Sequence, residues 1–150
     1  MTFKSKDKGS RWERESASEL SKSGGSWKRI PGSGSLGTNL KMPELMGDLS
    51  GHYNWFKKKF LGEGKFGYGG SKQLTLKREW ITKNREQAVL NNSYPTLLLK
   101  FSDVTSGDGS AKLICFNFDT WNQMMSDIQE LYENYLKLVE KDFLRKEKEN

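Results

Sequence analysis

Towards the C-terminus, apolar residues return at alternating steps of three and four: Trp121, Met124, Met125, Ile128, Leu131, Tyr132, Tyr135, Leu138, Val139 and Phe143. This is the 3.6-residue period of one helical face, and Asp119 just ahead of it is a good N-cap. The spacing predicts a long amphipathic helix from Asp119 to about Arg145, with the Lys141–Asn150 end frayed in solvent. A stripe of this kind packs on its own core or at a dimer interface. Residues 119–150 therefore form a separate segment after a core of residues 9–118.

The core carries shorter, mixed patterns. Lys8 to about Lys22 reads as a helix stopped by Gly24-Gly25, after a disordered basic tail at residues 1–8. Trp27–Ile30 reads as a short strand, followed by a Gly/Ser loop from Pro31 to Ser35. His52–Leu61 has the apolar content of a strand, and Glu63–Tyr68 continues it after a bend or pairs beside it. Leu76–Leu90 is helical, with Trp80, Ile81, Asn84 and Ala88 along one face. Thr96–Phe101 is too apolar for alternation and suits a buried strand, after which Gly107-Asp108-Gly109 turns the chain into Ala111–Phe118. The expected architecture is α/β, a mixed central sheet flanked by helices.

Composition narrows the partner. The 150 residues suit one domain, and no apolar run is long enough to span a bilayer or to serve as a signal-peptide core, so neither membrane nor export is expected. The single Cys115 excludes an intrachain disulfide and is expected to pack as a small hydrophobe; a cytoplasmic location follows by default, nucleoid-associated or in the host cytoplasm for a viral chain. The formal net charge is +6, and much of it is clustered. Arg11, Arg14, Lys28 and Arg29 precede the first loop and Lys57-Lys58-Lys59 precede Glu63; most such runs are solvated surface, and phosphate contact becomes the better reading only beside the candidate chemistry that lies between them. The three lysines lie on alternating strand faces, so they cannot all touch one backbone. Trp12, Trp27, Trp55 and Tyr68 have rings that could stack on bases, although such aromatics more often fill a core.

The candidate chemistry lies between these clusters. Asp48 and Glu63 are carboxylates able to hold a hard divalent cation together, and Lys65, two residues after Glu63, shares its strand face. A phosphodiester repels anionic nucleophiles, so its hydrolysis calls for a metal that polarises a phosphoryl oxygen and activates water, and for a cation that meets the developing charge. Lys65 suits that second role, and the backbone carbonyl of Gly64 is a further candidate ligand. Glu13 has two readings. Ser10-x-x-Glu13 is a capping box, and Glu13 on the apolar helical face is also placed to be a third carboxylate. His52, the only histidine, has no His/Cys companions for a zinc site. Gly32-x-Gly34-x-x-Gly37 matches a dinucleotide fingerprint formally, but Pro43 interrupts the helix that must follow, so no organic cofactor is expected.

Taken in order, Lys8-Gly9, Glu13-Arg14-Glu15, the Ser33/Ser35 loop, Gly47-Asp48, Glu63-Gly64-Lys65, the helix around Arg78 to Leu90 and Pro95–Phe101 resemble the archaeal-type Holliday junction resolvases. Those enzymes belong to the restriction-endonuclease-like, or PD-(D/E)xK, nuclease superfamily. The resemblance implies that Glu13, Asp48 and Glu63 bind magnesium, with manganese as a substitute, that Lys65 is catalytic, and that Arg14, Ser33 and Ser35 contact DNA. It also implies a homodimer acting on branched DNA, since cutting two symmetric strands needs two sites related by a two-fold axis. Two features depart from the pattern. Gly64 stands where the triplet usually carries a bulky aliphatic, and the loop from Leu36 to Met46 is longer than the family's. The expected function is resolution of four-way junctions by magnesium-dependent phosphodiester hydrolysis. The alternatives are another DNA repair or recombination nuclease of the same fold and a non-catalytic basic nucleic-acid-binding protein.

Overall fold

Alternation along Lys59–Phe66 organises the molecule. A computed structural model of the chain describes residues 3–32, 39, 42–69, 72–102 and 111–149. Helix α1 (Phe3–Ser21) leads into five strands, β1 (Ser26–Arg29), β2 (Leu49–His52), β3 (Lys59–Phe66), β4 (Ser93–Lys100) and β5 (Lys112–Cys115). They lie side by side in sequence order. Neighbours are antiparallel except β3 and β4, which run parallel with Phe60 beside Tyr94 and Leu98 beside Gly64. A parallel pair needs a crossover, and helix α2 (Arg78–Leu90) supplies it, resting on β3 and β4. Helix α3 (Phe118–Glu149) ends the chain. The architecture is α/β with a mixed sheet, consistent with the restriction-endonuclease-like fold.

Period two sends Phe60, Gly62 and Gly64 to one face of β3 and Leu61, Glu63 and Lys65 to the other. On the first face Phe60 packs with Trp27, Leu49, Tyr94 and Leu98, with Trp12 and Ala17 of α1, and with Met124 of α3. On the second, Leu61 meets Ile30 and Ala88, and Asn84 donates from Nδ2 to the Leu61 carbonyl at 3.1 Å. Gly51 is required by the indole of Trp27, because a Cβ there would lie 2.3 Å from the ring.

Several expectations are corrected. Helix α1 begins at Phe3, not Lys8, so the backbone of residues 3–8 is helical and Ser10 sits inside the helix. Its amide already has an intrahelical acceptor, which removes the capping-box reading of Glu13. The stretch His52–Leu61 is not one strand: the chain turns between β2 and β3, because Tyr53 reaches back to donate its hydroxyl to the Leu20 carbonyl at 3.1 Å while its ring packs on Phe56 and Phe60. Glu63 continues the same strand as Phe60 with no break between them. Strand β5 is shorter than Ala111–Phe118, and Asn117 rather than Asp119 caps α3, accepting the Thr120 amide on Oδ1 at 2.8 Å. The Gly107-Asp108-Gly109 turn and the loop glycines Gly34 and Gly37 lie outside the described residues.

Among the described residues, helix α3 meets the rest of the molecule at its foot. Thr120, Met124 and Asp127 are buried, and the Tyr94 hydroxyl and Gln123 Nε2 both donate to the Asp127 carboxylate, the latter at 2.9 Å. Lys57 pairs with Asp127 and Glu130. That occupies one of the three lysines expected to meet phosphate. From Ile128 to Lys148 no residue is buried. Among the described residues no helix is long and apolar enough to cross a membrane.

Candidate active site

Gly47 makes the site possible. Its φ of +77° belongs to the region that glycine enters freely, and a Cβ there would lie 2.8 Å from the Leu61 side chain. The turn delivers Asp48 to the head of β2, where its amide donates to the Gly62 carbonyl at 2.8 Å. Its carboxylate Oδ2 in turn accepts the Gly64 amide at 2.8 Å. Two hydrogen bonds to one stretch of β3 thus set Asp48 beside the Glu63-Gly64-Lys65 triplet. Glu63 is buried, and Lys65 Nζ donates to its Oε1 at 2.7 Å.

The electrostatics follow from crowding. Burial and then the negative charge of Glu63 push the Asp48 carboxyl up to about 6, Glu13 adds to the rise, and the Gly64 amide and Lys65 only partly offset it. Burial works against the Lys65 ammonium, but the charge and hydrogen bond of Glu63 outweigh it and hold Lys65 above the usual lysine value. Lys65 is therefore a cation at neutral pH, suited to meeting a phosphate and not to abstracting a proton. Mutually repelling carboxylates at hydrogen-bonded, fixed positions are the donor set that a hard divalent cation relieves. The pair fits such an ion.

Glu13 stands apart from the pair. Its carboxylate is bound by Arg29 Nε, and Arg29 also donates to Ser10 Oγ at 3.0 Å. Among the described residues no three His, Cys, Asp or Glu side chains gather closely enough to enclose an ion. The structure thus brings Asp48, Glu63, Gly64 and Lys65 together and leaves Glu13 near enough to be felt by Asp48 but held by an arginine. Arg11 and Arg14 are exposed on α1, and Lys28 is exposed on the edge strand β1. Ser33 and Ser35 lie outside the described residues.

Three features of the site were not read from the sequence. Trp12 walls it on the α1 side: its indole donates to the Leu98 carbonyl at 3.2 Å, and its Cδ1 would lie 3.4 Å from a Cβ placed on Gly64. Lys100, buried beneath it, faces the Trp12 and Phe66 rings and donates to Glu15 Oε2 at 2.8 Å. On the other face Lys65 Nζ sits 5.3 Å from the centre of the Trp80 ring, and Tyr68, 44% exposed, packs edge-on against that ring at 4.6 Å. Beforehand the sequence placed Trp80 on a helical face and marked Trp12 and Tyr68 as rings able to stack or to fill a core, but not what any of them touches. The buried Trp12 and Trp27 are core, whereas Trp55 and Tyr68 keep large exposed surfaces.

Residues 4–148 match the family model described as "Phage putative PDDEXK endonuclease". The chain belongs to this family. No curated protein matches it at a significant level. The letters of the family's description spell a proline and an acid, then an acid, any residue and a lysine; Gly47-Asp48 and Glu63-Gly64-Lys65 are the candidates here for those places, with glycine where the letters have proline. Membership makes the chain a nuclease of the restriction-endonuclease-like superfamily, and PDDEXK nucleases use divalent metal ions. The match is to a phage endonuclease family and not to the archaeal-type junction resolvases whose motif order the chain resembles.

Proposed function

We propose that this PDDEXK nuclease is a magnesium-dependent DNA endonuclease acting on branched DNA, with the four-way junction as its preferred substrate. The observation that carries the reading is the convergence of Asp48 on the Glu63-Gly64-Lys65 triplet through the Gly64 amide. Asp48 and Glu63, with the Gly64 carbonyl, would hold the ion, which when bound supplies Lewis acidity at a phosphoryl oxygen and lowers the pKa of an attacking water. The protein groups do the rest. The Gly64 amide keeps Asp48 in one orientation, and Lys65, protonated, exchanges Glu63 for the scissile phosphate and meets the charge that builds on it. Arg11, Arg14 and Lys28 position the DNA backbone without reading sequence. Arg29 shares that task only when it releases Glu13, and Glu13 then becomes free to join the ion. The preference for a branch rests on the motif resemblance and on the exposed Tyr68 beside Lys65, where an unstacked base next to the cut could pack. Such an enzyme works where its DNA lies, in the cytoplasm.

The test is cleavage of labelled four-way junction, flap, duplex and single-stranded DNA with magnesium, with manganese and with chelator. Junction cutting should need the metal. Asp48→Asn, Glu63→Gln and Lys65→Ala should each lower the cleavage rate by about 100-fold or more while junction affinity changes little. Cleavage that survives chelation or Asp48→Asn would overturn the metal assignment. Equal rates on plain duplex would overturn the branch preference alone.

A further inference from the structure

Lys65 has two partners of different kinds, and only one of them keeps its hold when the site is loaded. The first is Glu63, whose Oε1 accepts from Lys65 Nζ at 2.7 Å. The second is the Trp80 ring, whose centre lies 5.3 Å from Nζ. Because the Lys65 side chain is only 19% exposed, little water screens its attraction to the ring. Lys77 Nζ lies 5.7 Å from the same centre, but that side chain is 51% exposed and sits 3.8 Å from Glu79, so water and a carboxylate compete for it. The ring itself is fixed. The Trp80 amide donates to the Lys77 carbonyl at 3.1 Å, and Tyr68 packs edge-on against the indole at 4.6 Å.

We propose that Trp80 is a positioning residue of the nuclease, its indole keeping the Lys65 ammonium in place once Glu63 is committed to the metal ion. The inference rests on the reading of Asp48 and Glu63 as the metal-holding pair. A lysine side chain is a flexible stem, and its end reaches one place only when something fixes it. In the chain alone Glu63 does so. Once Glu63 faces a divalent cation, its charge is shared, and the ammonium is repelled by the same ion that the carboxylate attracts. The ion pair is therefore weakest when the phosphate needs Lys65. An aromatic ring carries no net charge and takes no ligand position, yet its face attracts a cation, and indole has the strongest such face among the side chains. The contact with Trp80 thus survives the exchange of Glu63 for the phosphate. Sequence alone shows neither partner of it, because Lys65 on β3 and Trp80 on α2 meet only through the crossover that rests α2 on the sheet.

Nuclear magnetic resonance of the full chain reads the contact without DNA or turnover, because protons over an aromatic face resonate upfield. The Lys65 ε-methylene signals, assigned by their loss in Lys65→Arg, should lie upfield of those of exposed lysines and stay there when magnesium is added. Magnesium should meanwhile shift the carboxyl carbons of Asp48 and Glu63. If those carbons do not respond, the metal reading falls and this inference with it; if they respond while Lys65 leaves the ring, this inference alone falls. Single-turnover cleavage, on whichever of the four DNAs the wild type cuts fastest, reads the consequence. Trp80→Leu should lower the rate about 10-fold with DNA affinity unchanged, and Trp80→Phe, which keeps a ring, should recover most of that loss. Fluorinated tryptophans at position 80 nearly preserve the volume while drawing charge from the ring face, so each added fluorine should slow cleavage further. Equal rates across the fluorinated series, or a Trp80→Phe chain as slow as Trp80→Leu, would overturn the proposal.

Discussion

Gly64 shows how one residue ties the site to the fold. A bulky aliphatic in the middle of the Glu-x-Lys triplet would press on Trp12, which fills that volume from α1. A Cβ on Gly64 would meet Trp12 Cδ1 at 3.4 Å and Asp48 Oδ2 at 3.7 Å, ordinary contacts. Gly64→Ala should therefore be accepted with little change in stability. Gly64→Ile should cost about 1–3 kcal/mol by displacing Trp12 from the Leu98 carbonyl, and Trp12→Ala in the same chain should recover part of that loss. Urea denaturation of the three variants measures both effects; an additive double variant would mean that the two residues do not share the volume. The missing side chain is thus a complement to Trp12 and not a defect of the triplet. Sequence could show the glycine but not its partner, because Trp12 and Gly64 meet only when α1 lies across β3.

Among the elements, α3 depends on a small polar anchor. The buried Asp127 carboxylate is satisfied by the Tyr94 hydroxyl and by Gln123, and burial together with Asp127 raises the Tyr94 hydroxyl above its usual pKa, so it remains the donor. Removing that donor leaves a buried charge with fewer partners. Tyr94→Phe should lower global stability by about 1–3 kcal/mol and expose the foot of α3 to protease, which thermal denaturation and limited proteolysis would detect. Unchanged proteolysis would mean that Met124 alone holds the helix down. The long helix itself was legible, because its apolar period runs unbroken for several turns. Its start at Phe118 was not. Asn117 and Asp119 are both good caps, and only the path from β5 decides which one faces the open amides.

For the whole molecule, the question is how much of the positive charge is available to DNA. Lys57 and Arg29 hold carboxylates of their own chain, and Lys100 and Lys112 hold Glu15. Arg11, Arg14 and Lys28 are exposed with no ion pair among the described residues. Junction affinity should fall steeply with salt. Arg11→Ala with Arg14→Ala should reduce the slope of log affinity against log salt by about two units, and Arg29→Ala should reduce it by less than either of these. Fluorescence anisotropy across a salt series reads all three, and an equal effect of Arg29 would show that Glu13 gives it up on binding.

The sequence by itself determined the apolar runs read as strands, the long helical stripe, the acid and Glu-x-Lys motif and the basic excess, because each is a local pattern whose period or spacing survives without a fold. The tertiary structure decided which patterns meet. It turned the chain at Tyr53, carried α1 back to Phe3, and gave Glu13 to Arg29 instead of to a cap. It also set Trp12 against Gly64 and left the stripe of α3 facing outward. The turn at Tyr53, the Glu13–Arg29 pair and the fit of Trp12 to Gly64 are contacts between residues far apart in sequence, chosen by competition for buried volume and for hydrogen-bond partners, which no local window of residues contains.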